Sequence, residues 1–184
     1  LAISSAASDV YKRQAQVVKN AGDIEYRGFE IDGVYTMTDT VTMVASLGYV
    51  HSKYKNLISD LTGDFIIDAL DYALEVPRAA PLTYSLGFNI DGNLGTWRSI
   101  TRISYYHRDK SYYNENNQGF INEQDILNFG YDIYSSDGKI NIGIYGKNLS
   151  NEVKHGGDTN LSFGGTFAPL AKGKIVGAEL VYKF

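Results

Sequence analysis

The stretch that most constrains the fold is the last one, Lys174 to Phe184 (KIVGAELVYKF). Successive side chains of a strand point to opposite faces. Val176, Ala178, Leu180, Tyr182 and Phe184 therefore share one face, and Ile175, Gly177, Glu179, Val181 and Lys183 the other. The first face is wholly apolar and ends in an aromatic; the second is mixed. The apolar row runs to the last residue, where a free carboxylate stands beside it. In a soluble core that charge would need burial or a partner. At a membrane–water interface, where aromatic side chains collect, it stays hydrated. The stretch reads as a strand that crosses a bilayer with lipid against its apolar row.

The same two-residue period recurs along the chain. Phe29, Ile31, Gly33, Tyr35 and Met37 oppose Gly28, Glu30, Asp32, Val34 and Thr36; Val41, Met43, Ala45, Leu47 and Tyr49 oppose Thr42, Val44, Ser46 and Gly48. Leu82, Tyr84, Leu86, Phe88 and Ile90 alternate with Thr83, Ser85, Gly87, Asn89 and Asp91, and the strand after it sets Trp97 to His107 against Arg98 to Arg108. Two more strands come next, with Leu127, Phe129, Tyr131 and Ile133 and then Ile140, Ile142 and Ile144 on their apolar faces. The connections alternate in length: short at 38–40, 91–95 and 135–139, long at 55–77, 109–124 and 148–173. In an up-and-down antiparallel sheet this parity puts trimmed turns at one rim and large loops at the other, as in outer-membrane barrels with short periplasmic turns and long outer loops. A sandwich has no reason to show it. In the first long connection, IIDALDYALE spaces Ile66, Leu70, Ala73 and Leu74 as a short amphipathic helix would.

Composition supports this and excludes other classes. The chain of 184 residues has 15 Tyr against 1 Trp and 19 Gly against 3 Pro, a mixture suited to strands with an interfacial face and a closely approached one. Net charge is -4, which gives nucleic-acid binding no electrostatic support. There is no Cys, hence no disulfide scaffold or thiolate metal site. No apolar run reaches the ~18–20 residues of a membrane helix, a test to which a barrel is blind. Residues 1–13 show no alternation continuous with the strands beyond them, and SSAASDVYKRQ lacks the parts of a signal peptide, so that segment is read as extraneous and the fold as residues 14–184. Seven strands plus a stub at Gln16 to Ala21 fit either a whole small eight-stranded barrel or the last third of a larger one.

Motif order favours the larger one. NAG before YRGFEIDG (Asn20 to Gly33), GYVHSKYKNL (Gly48 to Leu57), VPRAAPLTYSLGF (Val76 to Phe88), IGIYGKNLSNE (Ile142 to Glu152) and the closing GAELVYKF together resemble the C-terminal region of TonB-dependent outer-membrane receptors. In that family an R-G-x-E strand, a strand introduced by paired prolines and an N-L-S/T-N/D strand end precede a terminal aromatic. The resemblance covers residues 15–184 and implies an all-β, antiparallel up-and-down transmembrane barrel portion, seven to eight strands of about 22 around a plugged lumen. It further implies a bacterial outer-membrane location and uptake of a scarce substrate such as an iron–siderophore, haem, cobalamin or a glycan. The implied partners are outer-membrane lipid, the barrel assembly machinery reading the strand of Val176, Ala178, Leu180, Tyr182 and Phe184, and the TonB complex through an N-terminal region not in this sequence. The rivals are a complete eight-stranded barrel with a structural or adhesion role and a soluble carbohydrate-binding β-sandwich.

Candidate site residues come from the polar faces. Glu30, Asp32, Asn89, Asp91, Arg98, Arg102, Arg108, Asn128, Asp132 and Lys147 would line the lumen or substrate path. Arg98, Arg102 and Arg108 suit an anionic metal chelate, although they could equally pair with Glu30 or Asp32 inside the barrel. Tyr112 and Tyr113, with Tyr105 and Tyr106, stand near a loop rim, either as girdle or as substrate contacts. His51, His107 and His155 lie near long-loop ends, but their spacing forms no metal-ligand motif. Gly156, Gly157, Gly164 and Gly165 do not join a strand to a helix, so a phosphate cradle fails its structural test and a flexible loop is the reading. Asn148-Leu149-Ser150 is read as a strand end in place of a glycosylation site. No nucleophile–base pairing is visible, so neither an enzyme, a cofactor nor a metal is expected.

Overall fold

The computed structural model describes residues 20–154, 159–161 and 165–184, with 159–161 and 165–167 described by backbone alone. The segment 1–13, most of the stub at 16–21, His155, Gly156, Gly157 and Gly164 lie outside the described residues. The elements are β1 (Gly22–Thr38), β2 (Val41–Leu57), α1 (Ala69–Tyr72), β3 (Leu82–Leu94), β4 (Trp97–Arg108), β5 (Ser111–Tyr112), β6 (Phe120–Ile121), β7 (Gln124–Tyr134), β8 (Ile140–Lys147), β9 (Thr159–Leu161), β10 (Gly165–Phe167) and β11 (Ile175–Tyr182). β1, β2, β3, β4, β7, β8 and β11 form one seven-stranded sheet in that order, antiparallel throughout. The fold is all-β, as the alternation requires.

Register keeps each face continuous. One rung runs Tyr35, Met43, Phe88, Ile103, Phe129, Gly146, Val176, one residue from each sheet strand. The neighbouring rung, on the other face, runs Thr36, Thr42, Asn89, Arg102, Gly130, Tyr145, Gly177. A slip of one residue anywhere would mix the two sets, so the apolar pattern itself fixes the pairing. Among the described residues no second layer covers the apolar rows: Tyr35 is 62% exposed, Val176 69% and Leu180 71%. The sandwich reading needs such a layer. β1 and β11 lie at opposite edges of the sheet.

The connection parity holds, with tighter turns than the sequence suggests. The short connections are 39–40, 95–96 and 135–139, and the long ones 58–81, 109–123 and 148–174. DGN, expected in a turn, belongs to β3 because Asp91 pairs with Ile100 and its carboxylate accepts from Arg98 Nε at 3.1 Å and Nη2 at 2.5 Å. The turn is Gly95-Thr96, with Gly95 at φ +62°, the positive φ that a two-residue hairpin turn demands. β1 begins four residues before the expected Tyr26, and β2 runs on past Tyr54 to Leu57. Two small hairpins, β5–β6 and β9–β10, stand in loops expected to be irregular, and Gly165 opens β10. β11 stops at Tyr182; beyond it the Lys183 amide still donates to the Lys139 carbonyl at 2.9 Å.

The expected amphipathic helix is one turn long. Asp68 caps it, and Asp71, fully buried, accepts from the backbone amides of Asp68, Leu61 and Thr62. The loop is thus folded around a carboxylate, and Ile66 and Leu70 of the expected apolar stripe face solvent. Leu74 packs instead with Leu61 and Ala79 against the buried cluster of Tyr54, Leu57 and Val76. Tyr54 belongs to the polar-face set of β2, so loop 58–81 leans over that side of the sheet.

Candidate functional site

The polar face is the hollow one. Arg102, Asn128, Asp132, Tyr145, Lys147 and Glu179 line a broad open concavity on it. Cross-strand polar pairs tile this wall, Ser46 Oγ with Ser85 Oγ at 2.7 Å and Asn128 Nδ2 donating to Ser104 Oγ at 3.2 Å, and within β8 the Lys147 ammonium lies 5.8 Å from the Tyr145 ring centre. Close approach explains the wall's glycines. A Cβ at Gly143 would fall 2.6 Å from an Asp132 carboxylate oxygen, and one at Gly177 2.6 Å from the Tyr145 ring.

Glu30, Asp32, Asn89, Asp91, Arg98, Arg102, Asn128, Asp132 and Lys147 are on this wall and Arg108 is above it, whereas His51, Tyr105 and His107 belong to the opposite face, and the pairings differ from the sequence expectation. Arg98 binds Asp91, and Arg102 binds Asp132, each a neighbour one strand away. Neither reaches Glu30 or Asp32. In register, Glu30 is followed by Gly48, Thr83 and only then Arg108, three strand spacings or about 14 Å away. Glu30 and Asp32 are exposed and have no ion-pair partner among the described residues. The wall therefore offers two neutralised guanidinium–carboxylate pairs and an acidic stretch on β1, in place of a stripe of unpaired arginines for an anion.

Above the wall the long loops form a cap. Arg108 Nη2 donates to the buried Ser111 Oγ at 3.0 Å. The Arg78 amide donates to the Tyr112 carbonyl at 2.7 Å, and its guanidinium sits 4.8 Å from the Tyr113 ring centre. Lys110 covers the Tyr112 ring at 4.8 Å and the Phe120 ring at 4.7 Å. Asn117 bridges to loop 58–81, accepting from the Glu75 amide at 2.7 Å and donating to the Glu75 carbonyl at 2.8 Å. Tyr112 and Tyr113 thus join loops 58–81 and 109–123 into one body, each half-buried with a face against a cation. Asp60, accepting from the amides of Gly63 and Phe65, and Asp71, accepting chiefly from Asp68, are held below the usual carboxylate range by these donors.

Sequence reasoning underrates one residue. Asn148, 8% exposed with φ +51°, accepts from the Glu152 amide at 2.9 Å and donates to the carbonyls of Glu152 at 3.0 Å and Lys172 at 2.9 Å. Ser150 Oγ donates to the Asp125 carbonyl, and Asn151 Oδ1 accepts from Lys174. Leu149 lies over Gly146, where a Cβ would meet it at 2.5 Å. The N-L-S-N stretch is a clamp tying β7, β8 and β11 together at the loop rim. Two asparagines three apart, the second also at positive φ (Asn151, +56°), are its only sequence signal.

The apolar face carries aromatics at both ends. Phe29 and Tyr49 meet at 5.9 Å and Tyr84 and Tyr105 at 6.0 Å near the loop rim, while Tyr182 and Phe184 meet edge-on at 5.2 Å near the turn rim. From Tyr84 to Leu94 the strand runs about 33 Å, or about 25 Å along a membrane normal at ~40° tilt, the height of a barrel's apolar band. Val176, Ala178, Leu180 and Tyr182 all lie exposed on this face. The described histidines do not converge: His51 pairs in register with Arg27, and His107 contacts Asp125 at 2.7 Å and Asp109 at 3.0 Å while stacking on Tyr84. Among the described residues no group of three or more His, Asp or Glu side chains could hold a metal ion. No described helix is long and apolar enough to cross a membrane.

The sequence matches no protein-family model and no curated protein. Solved structures do match in fold. The ferric yersiniabactin uptake receptor FyuA from Yersinia pestis superimposes over 90% of this chain and 24% of its own, with TM-score 0.74 and 14% identity. The siderophore receptor PiuA from Acinetobacter baumannii matches over 89% of this chain and 22% of its own, with TM-score 0.68 and 17% identity. BauA, the ferric preacinetobactin receptor from Acinetobacter baumannii, matches over 89% and 23%, with TM-score 0.62 and 13% identity. The chain spans about a quarter of each of these proteins. Its fold is that of a segment of a siderophore-receptor barrel.

Proposed function

We propose that this chain is the C-terminal barrel segment of a TonB-dependent outer-membrane receptor that takes up a ferric siderophore. The observation that carries the reading is the two-faced sheet: seven antiparallel strands, one face an uncovered apolar field about as tall as a bilayer core, the other a polar concavity under a loop cap. A soluble protein exposing so large an apolar area would aggregate. The segment contributes a lipid-facing belt, part of the lumen wall and part of the outer loops that meet the substrate. Glu30, Asp32, the paired Arg98 and Arg102, and the cap residues Arg108, Tyr112 and Tyr113 stand along that path. In the intact receptor a plug N-terminal to this segment couples to the TonB complex, and β11 is the strand the assembly machinery reads.

The test is uptake of radiolabelled iron chelates by cells whose sole intact receptor carries this segment. Deleting residues 109–123 should abolish uptake of one ferric siderophore while the protein remains a heat-modifiable barrel in the outer membrane. Unchanged siderophore uptake together with loss of growth on haem, cobalamin or a glycan would overturn the substrate class. Recovery of the protein in the soluble fraction would overturn the barrel.

A further inference from the structure

Loop 58–81 has two sides. On one, Leu61, Leu74 and Ala79 pack with the loop's own Val76 onto Tyr54 and Leu57 of β2, on the polar face of the sheet. On the other, Phe65, Ile66 and Leu70 project into solvent, 96%, 61% and 62% exposed, with Ile67 beside them. In a barrel the polar face is the inner one, so this apolar knuckle stands over the hollow, away from lipid. Its backbone is fixed. Phe65 sits at φ +70°, a left-handed conformation that glycine takes freely and a bulky side chain does not. The Asp60 carboxylate holds it there, accepting from the Phe65 amide at 2.6 Å, the Gly63 amide at 2.8 Å and the Thr62 hydroxyl at 3.0 Å. Asp64 accepts from the Ile66 amide at 2.9 Å, and Asp68 caps the turn that carries Leu70. A strained backbone thus displays apolar side chains to water. Strain of this kind collects at ligand-binding sites, and a ligand that covers these side chains lowers the free energy of the whole.

Charge narrows the occupant. Loop 58–81 carries five acids, Asp60, Asp64, Asp68, Asp71 and Glu75, against one base, Arg78, whose guanidinium lies over the Tyr113 ring. In loop 109–123, Glu115 has no ion-pair partner among the described residues, and Lys110 is held between the Tyr112 and Phe120 rings. On the wall below, Glu30 and Asp32 are unpaired, whereas Arg98 and Arg102 are neutralised by Asp91 and Asp132. Lys147 shares the concavity with Glu179. A polyanion entering over these loops meets a negative potential that an uncharged or cationic ligand does not. A free metal cation would use the acids and leave the apolar side chains bare. An apolar molecule without negative charge satisfies both features.

We infer that the ferric chelate taken by this receptor is uncharged or cationic with an apolar exterior, as a ferric trihydroxamate is, and that Phe65, Ile66 and Leu70 take its apolar side. The inference rests on the siderophore reading above and narrows it: polyanionic chelates, such as a ferric tris-catecholate, are disfavoured.

The experiment takes the intact receptor carrying this chain, purified from outer membranes in detergent, and measures binding of three radioiron complexes. They are an uncharged cyclic trihydroxamate, a linear trihydroxamate with a terminal ammonium, and a trianionic tris-catecholate. The wild type should bind one of the trihydroxamates at least about tenfold more tightly than the tris-catecholate. Phe65→Gly removes the ring and suits the φ of +70°, so it should weaken trihydroxamate binding about tenfold without lowering the thermal midpoint. Leu70→Ser, elsewhere on the knuckle, gives the same reading should Phe65→Gly alter the loop. E75K/E115K, at side chains that hold no part of the knuckle, should narrow the preference at least about fivefold by drawing in the polyanion. Tighter binding of the tris-catecholate by the wild type overturns the inference. So does trihydroxamate affinity unmoved by both knuckle variants, or a preference unmoved by E75K/E115K. Binding of none of the three complexes, with haem or cobalamin bound instead, strikes the siderophore reading itself.

Discussion

The two faces of this sheet share one backbone and one ladder of hydrogen bonds, yet they are built by different rules. On the apolar face, the rung from Tyr35 to Val176 carries no polar side-chain pair, and among the described residues no second layer of sheet or helix lies over it; Leu149 alone sits against Gly146. On the polar face, the adjacent rung is stitched by specific pairs, Arg102 with Asp132 and Tyr145 over Gly177 among them. With lipid against it, as proposed, the first face should tolerate any apolar residue of any shape, because a fluid would fill whatever gap is left. The second depends on who stands next to whom. Substitutions should therefore be judged by polarity on one side and by partner on the other.

The sharpest break of that rule is a charge on the apolar face. Phe88→Arg, at the middle of β3, should cost about 2–4 kcal/mol of folding stability in lipid vesicles, whereas the same arginine at Asn89, on the polar face, should cost under about 1 kcal/mol. Equal losses at the two positions would erase the distinction between faces. Next comes the rim clamp, where the polar rule is strictest. Asn148→Ala removes a buried side chain and leaves the carbonyls of Glu152 and Lys172 without their donor; it should cost about 1–2 kcal/mol, read as a fall in the denaturant midpoint of the reconstituted barrel. Val76→Ala, in the buried cluster under the cap, should cost about 1.5 kcal/mol of local stability. Faster amide exchange at Leu57, with the sheet unchanged, is the expected readout.

The pH dependence of the cap comes from its carboxylates. Asp60 and Asp71 sit below their ordinary value of 3.8 because backbone amides bind the ionised form. A depressed carboxyl stabilises the fold above its unfolded value, and that contribution disappears as pH falls through the folded one. The protection of the Leu61 and Thr62 amides, taken relative to the intrinsic exchange rate at each pH, should be flat down to about pH 4 and fall below it. Acceleration on raising the pH, beyond the intrinsic rate, would contradict the assignment. The smallest effect belongs to the wall: a double-mutant cycle on Arg102 and Asp132 should give under about 1 kcal/mol, since the guanidinium is half exposed.

Sheet, faces and loop parity were legible in the sequence because a period of two over many residues leaves little freedom: Leu82 to Ile90 alone fixes both faces of β3. Pairings on the polar face were not. Alternation places Arg98, Arg102, Glu30 and Asp32 on one side, but which acid meets which arginine depends on register, and register brings Asp91 and Asp132. The loop interiors were least legible. IIDALDYALE has helical spacing, yet Asp71 serves as a buried acceptor for Leu61 and Thr62, and that long-range demand outweighs the local period. The same holds for Tyr112 and Tyr113, whose cations come from Arg78 and Lys110.

The most direct test of a sheet with lipid on one side and water on the other is an accessibility scan along β3. The chain has no Cys, so each single-cysteine variant from Leu82 to Asp91 reports one position alone. In reconstituted membranes, labels at Leu82, Tyr84, Leu86, Phe88 and Ile90 should be quenched by a lipid-soluble reagent, and those at Thr83, Ser85, Gly87, Asn89 and Asp91 by a water-soluble one, in strict alternation. Even-numbered positions shielded from both reagents would mean that protein covers the apolar rows, and the account would be wrong.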